Sequence, residues 1–195
     1  NLATPDSGEE IYSENRTDIM PGIFSEYFHK WGELFSITSG LRADYYNKTD
    51  KFYVIPRVNM KYNPNESTAV RISGGRAFRN SNFISDNISL LASNREISYG
   101  DNLLPEIAWN YGVNLTHCFY LNDREGTFNI DFYRTDFENQ IVVDVEDQGI
   151  LTFTNLLDIP NPISFSNAFQ FDFAYELFNR FDMKLAYKIN NSKTS

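Results

Sequence analysis

A serine nucleophile needs a histidine base within hydrogen-bond reach, and this 195-residue chain carries only two histidines, His29 and His117. Both fall near short turn-forming stretches, where a structural or interfacial role is the simpler reading, and no nucleophile motif accompanies them. Carboxylates are more plentiful, with Asp131, Asp136, Glu138, Asp144, Glu146 and Asp147 close together. Such a cluster could supply a hydrolytic pair or an oxygen-lined Ca²⁺ site, yet its spacing matches no EF-hand loop and neither reading is adopted. The lone Cys118 forms no internal disulfide and offers no metal-ligand pairing. No catalytic residue, cofactor or metal is therefore expected. Recognition chemistry remains: guanidinium and aromatic side chains that would meet a ligand through hydrogen bonds, charge and ring faces, namely Arg42, Tyr53, Arg57, Arg79, Phe83, Arg95, Tyr99 and Tyr133.

The elements that position these residues must suit an unusual composition. At 42% hydrophobic and 16% aromatic the chain is too apolar to be disordered. No window approaches the roughly eighteen consecutive apolar residues of a membrane helix, and mean hydropathy is negative, at -0.43. A closed barrel is the other way to place many apolar side chains in lipid, because its strands alternate and look hydrophilic on average. A net charge of -9 without a basic run argues against nucleic acid. No signal peptide is visible at Asn1, so a mature segment or an internal excerpt is expected. Asn-x-Ser/Thr triplets at Asn15, Asn47, Asn65, Asn87, Asn114 and Asn190 are read as chance in an Asn-rich chain.

Alternation runs through the whole sequence. Between Leu34 and Tyr46, the apolar series Phe35, Ile37, Leu41, Ala43 and Tyr45 interleaves with Ser36, Thr38, Gly40, Arg42 and Asp44. Val54, Pro56, Val58, Met60 and Tyr62 continue against Arg57, Asn59 and Lys61, with Pro56 the one residue that removes a ladder donor. Val70 and Ile72 follow, with Gly74 and Gly75 easing curvature. Ile107, Trp109, Tyr111, Val113, Leu115, His117 and Phe119 form the clearest apolar series, set against small and polar residues from Ala108 to Cys118. Similar runs around Phe128–Phe132, Phe165–Tyr175 and Phe181–Ile189, with 22–30, make about eight strands and no convincing helix. The phase places Arg42, Asp44, Tyr53, Arg57, Arg79, Asn110, Tyr133 and Thr135 on a polar, lumen-lining face.

The connections fall into two kinds. Short ones lie around 31–33, 63–66, 122–124 and 178–180, all rich in turn residues. Longer, irregular ones are expected at 47–52, 80–105 and 144–163. Strict alternation of short and long is how outer-membrane barrels are strung. The 80–105 segment, with Phe83, Arg95 and Tyr99, is long enough to fold over the mouth and touch a ligand. Alternating strands also describe a soluble β-sandwich binding module, although strands of about ten to fourteen residues exceed its usual length.

Five runs resemble TonB-dependent outer-membrane receptors: SITSGLRADYY (Ser36–Tyr46), PRVNMKYNPNESTAVRISGGRAFRN (Pro56–Asn80), PEIAWNYGVNLT (Pro105–Thr116), NIDFYRTDFENQIVVD (Asn129–Asp144) and FDMKLAYK (Phe181–Lys188). The resemblance implies an all-β, antiparallel up-and-down transmembrane barrel of about twenty-two strands around a plug. Residues 1–195 would be about eight strands of it, a partial barrel domain with the plug absent. A small stand-alone outer-membrane barrel of eight strands is the alternative. The family's activity would be binding a scarce nutrient, such as a siderophore, cobalamin, haem, metal chelate or oligosaccharide, and importing it across the bacterial outer membrane. Its implied partners are outer-membrane lipid, the protein's own plug domain, the TonB inner-membrane complex acting through an N-terminal part, and a small-molecule nutrient, with no nucleic acid.

Overall fold

A strand whose side chains alternate between large apolar and polar groups can satisfy its backbone only by pairing, and can hide only one of its faces. In the computed structural model the chain solves this with one large sheet. The structure describes residues 17–80, 82, 86–91, 95–99, 103–146 and 149–195, and the backbone of 2–3 and 10–12. A short antiparallel pair, β1 (Leu2–Ala3) and β2 (Glu10–Tyr12), precedes the sheet. The chain then forms β3 (Gly22–Trp31), β4 (Phe35–Tyr46), β5 (Lys51–Asn65) and β6 (Thr68–Arg79). A single helical turn α1 (Ile88–Leu91) and β7 (Glu96–Tyr99) lead to β8 (Glu106–Leu121) and β9 (Arg124–Asn139). After β10 (Ile141–Asp144), β11 (Ile150–Asn155) and a 3-10 turn (Leu156–Asp158) come β12 (Ser164–Phe178) and β13 (Phe181–Thr194).

Eight of these strands pair in the order β13-β12-β9-β8-β6-β5-β4-β3, each antiparallel to its neighbour. That is the expected up-and-down arrangement. Among the described residues β3 and β13 are the two edges and do not meet, so the eight strands do not close on themselves as the small-barrel alternative required. Nor do the described residues form a second large sheet facing the first, which the sandwich alternative required. No helix among the described residues is long and apolar enough to cross a membrane, which says nothing of crossing by strands.

The register carries the two faces across all eight strands. One row reads Trp31, Phe35, Tyr62, Val70, Leu115, Ile130, Phe171, Tyr187 from β3 to β13. The row one residue away reads Lys30, Ser36, Lys61, Arg71, Asn114, Asp131, Gln170, Lys188. The first row is apolar throughout and the second is polar throughout. Among the described residues nothing covers the apolar face: Leu41, Phe52, Ile72, Val113, Phe132 and Leu185 are all exposed. An uncovered surface of this extent is foreign to a soluble monomer and normal for a barrel wall in lipid. The sixteen residues of β8 and of β9 reach about 50 Å at about 3.3 Å per residue. This exceeds a hydrocarbon core of about 30 Å even with strong tilt, so the strands project beyond the membrane.

Turns at one end are tight. Asn122 and Asp123 both adopt positive φ, 53° and 58°, the pairing of a type I′ hairpin, whose twist matches that of the strands it joins. At Gly32–Leu34, Lys30 Nζ lies 2.7 Å from Glu33 Oε1. The hydrogen bond and then the charge of Lys30 hold the Glu33 carboxyl below the usual carboxylate range. At the opposite end two expectations need correction. The 47–52 connection is a four-residue turn, 47–50, with Asp50 at φ 53°. The 80–105 and 144–163 connections carry strands among their described residues: β10 and β11 pair antiparallel, and β11 pairs parallel with β7. This small sheet holds two of the best-buried side chains among the described residues, Phe153 at 0% and Leu151 at 1% exposure, with Leu90, Ile97, Leu103, Ile141 and Val143 packed on them. Pro56 is harmless because the β5–β6 pairing ends at Arg57 and Gly75, leaving no β6 ladder beside it.

Candidate functional site

At the long-connection end the polar face carries an open cleft of about 780 Å³, lined by Phe24, Arg42, Asp44, Ile55, Arg57 and Arg79 among others. The register explains its floor. Glu26, Gly40, Arg57, Gly75 and Asn110 form one row across β3, β4, β5, β6 and β8. A Cβ on Gly40 would lie 2.7 Å from Arg57 Nε, so the missing side chain lets the guanidinium lie flat across β4 and donate from Nη2 to Glu26 Oε2 on β3.

Each guanidinium in the cleft is held by a carboxylate. Arg42 Nε lies 2.8 Å from Asp44, whose side chain is almost wholly buried. Arg79 Nη2 lies 2.6 Å from Glu106 and 3.3 Å from Asp86, and its Nε donates to Glu106 at 2.8 Å. Arg76 pairs with Glu138 at 2.6 Å, and Trp109 Nε1 donates to the same carboxylate.

Three of the expected ligand contacts, Arg42, Arg57 and Arg79, therefore share one cleft. The others that are described do not line it. Tyr53 is buried at 6% exposure, stacked on Phe78 at 4.2 Å, with its hydroxyl 3.1 Å from Thr49 Oγ1. That makes it a packing residue beside the cleft. Tyr46 joins this corner, edge-on to Phe78 and donating to Asp18. Tyr133 lines a second cleft of about 410 Å³ nearer the tight turns, with Ser36, Asn59, Lys61, Asn114 and Asp131. Arg95 and Tyr99 belong to the small loop sheet: Arg95 donates to the Val145 carbonyl, and Tyr99 stands opposite Phe153. Phe83 lies outside the described residues. Glu26 and Glu106, which tie down two of the arginines, were not foreseen. β3 places Phe24 and Phe28 on the same face as Glu26, which hides that face's polarity from periodicity.

In the second cleft Tyr133 covers Gly112. A Cβ there would sit 2.6 Å from the Tyr133 ring and 2.6 Å from Ser73 Oγ. Gly112→Val is expected to destabilise the membrane-assembled protein by about 1–2 kcal/mol, an overpacking cost. In a Tyr133→Ala background the penalty should largely vanish. Equal costs in both backgrounds, measured by denaturant unfolding in lipid vesicles, would rule out this ring contact as the cause.

Neither histidine lines the cleft. His29 lies between Tyr27 and Trp31 near the tight turns, and His117 Nδ1 hydrogen-bonds Thr68 Oγ1 at 2.8 Å while facing Phe128. Both belong to the apolar series. The carboxylates are dispersed: Asp131 accepts from Asn114 on the polar face, Asp136 is paired with Arg134, and Glu138 with Arg76. Asp147 lies outside the described residues. Among the described residues no group of three or more His, Cys, Asp or Glu side chains could hold a metal ion.

A family model described as TonB dependent receptor-like, beta-barrel, matches residues 2–191. The chain belongs to that family. Barrels of these receptors lie in the outer membrane, so the apolar face meets lipid, the tight turns are periplasmic and the cleft opens outward. No curated protein matches the sequence. Solved structures that resemble it include the ferric enterobactin receptor PfeA of Pseudomonas aeruginosa in complex with BCV-L6, with a TM-score of 0.67 at 15% identity over 96% of this chain and 29% of that one. The siderophore receptor PirA of the same organism gives 0.65 at 15% identity, over 91% of this chain and 35% of that one. The iron transporter FrpB of Neisseria meningitidis gives 0.61 at 15% identity, over 91% and 26%. At this identity the likeness speaks for the fold. The chain spans about a third or less of the length of these receptors.

Proposed function

We propose that this chain forms about eight strands of the wall of a larger receptor barrel, which takes up a small-molecule nutrient at the cell surface and passes it inward when the TonB complex acts on a plug domain. The observation that carries this reading is the cleft on the polar face, where Arg42, Arg57 and Arg79 meet Phe24 and Ile55 at the extracellular end of an otherwise lipid-facing sheet. Convergent polar donors beside apolar contacts are what a small-ligand site needs. The titles of PirA, PfeA and FrpB name siderophore, ferric enterobactin and iron, which makes an iron chelate the natural first cargo to test. A receptor and not an enzyme is the role we infer, since both histidines face away from the cleft.

In a bacterium dependent on the full-length receptor for its iron chelate, deleting TonB should abolish uptake while surface binding persists. Uptake that continues without TonB would overturn the proposal. Replacing Arg79 by Ala should weaken binding about tenfold, the usual scale for losing a charged hydrogen-bond donor.

A further inference from the structure

The cleft is rich in arginine yet carries no positive surplus. Its four guanidiniums, on Arg42, Arg57, Arg76 and Arg79, face five carboxylates within ion-pair distance: Asp44, Glu26, Glu138, Glu106 and Asp86. An arginine-lined pocket attracts anions only when its charges are uncompensated, because the field of a close pair falls off much faster than that of a lone cation. A polyanionic ligand would gain from each guanidinium and lose nearly as much against the carboxylate beside it. Displacing those carboxylates would leave Asp44, almost wholly buried beneath Arg42, as an unpaired charge.

The same pairs leave hydrogen-bond donors free. Arg42 engages Asp44 through Nε, and Arg57 engages Glu26 through Nη2. The two side chains remain 59% and 60% exposed, and that of Arg79 60%. Each guanidinium carries five N–H groups, so those outside the ion pairs are open to a ligand's oxygens, with the Phe24 and Ile55 side chains offering apolar contact alongside.

We propose that this wall of the receptor selects an uncharged, oxygen-rich chelate over a polyanionic one, recognising carbonyl and hydroxyl oxygens by hydrogen bonds, with Glu26 and Asp44 acting as the residues that cancel the arginines' charge. The inference rests on the reading of the cleft as a nutrient site.

The test uses full-length purified receptor and two probes, an uncharged iron(III) tris-hydroxamate chelate and a trianionic iron(III) tris-catecholate chelate. The uncharged probe should bind more tightly, with an affinity that changes less than about twofold from low to high ionic strength, as screening leaves an uncharged ligand unaffected. Glu26→Gln, at a half-exposed position that should not perturb folding, should raise affinity for the trianionic probe about tenfold. Adding Asp44→Asn should raise it further. Tighter binding of the trianionic probe by the unmodified receptor, an unchanged preference in Glu26→Gln, or failure to bind either probe would each overturn the inference. TonB-dependent uptake of a polyanionic chelate would overturn it too while leaving the transport reading intact; uptake indifferent to TonB would do the reverse.

Discussion

Replacing Leu115 by arginine is expected to destabilise the membrane-assembled receptor by about 2–4 kcal/mol, the cost of a cation on the lipid face near the bilayer midplane. Leu115 stands between Val70 on β6 and Ile130 on β9, inside a row that stays apolar from Trp31 to Tyr187. Nothing in that row offers an arginine a partner. Its chain neighbour Asn114 points the other way, receiving a hydrogen bond from Arg71 and giving one to Asp131. An arginine at 114 would lose those bonds but keep water and the Asp131 carboxylate, so its cost should stay below about 1 kcal/mol. Reversible unfolding in lipid vesicles measures both. Similar costs at the two positions would mean that the apolar face is not the one in lipid.

The same two rows explain what could be read from sequence and what could not. Period-2 alternation is a backbone property, and a register slip would turn every side chain to the wrong face. A stretch such as Ile107–Phe119 therefore declares both its strand and its orientation. The polar positions follow directly, which is why alternation alone puts Arg42, Arg57 and Arg79 on the polar face. Alternation is silent about which polar residue ends up against which, since pairs such as Arg57 with Glu26 depend on the register of three strands and on Gly40 between them. Tyr53 shows the same limit: its phase is that of the polar face, but alternation does not disclose that its ring stacks on Phe78 from β6. The loop sheet was missed because its strands are four to six residues long and rest on a parallel pairing between segments about fifty positions apart. So short an apolar run as Ile150–Phe153 does not distinguish strand from loop.

That loop sheet leads to the second large expected effect. Phe153→Ala should cost the sheet formed by β7, β10 and β11 about 3–5 kcal/mol, the range for truncating a fully buried aromatic ring. Phe153 and Leu151 are the centre of its core, and three such short strands hold little stability in reserve. The loss should therefore melt the unit locally and not merely loosen it. The barrel strands beneath have their own long ladders, β8 with β9 and β9 with β12. Where the two units join, the buried Asn139 side chain donates to the Pro105 carbonyl, and Asn155 Oδ1 accepts from the Leu104 amide. Those side-chain bonds tie the loops down without sharing the ring's core, so they should not carry the melting into the barrel. Amide hydrogen exchange on the full-length receptor reads the outcome strand by strand. Protection in β7, β10 and β11 should fall by two orders of magnitude or more, about what 3 kcal/mol corresponds to, while β8 and β9 keep theirs. Thr152→Ala, on the opposite face of β11, should change exchange less than about fivefold. If β8 and β9 lose protection together with the loop strands, the two are one cooperative unit. If nothing changes, the Phe153 ring is not what holds these two long connections together.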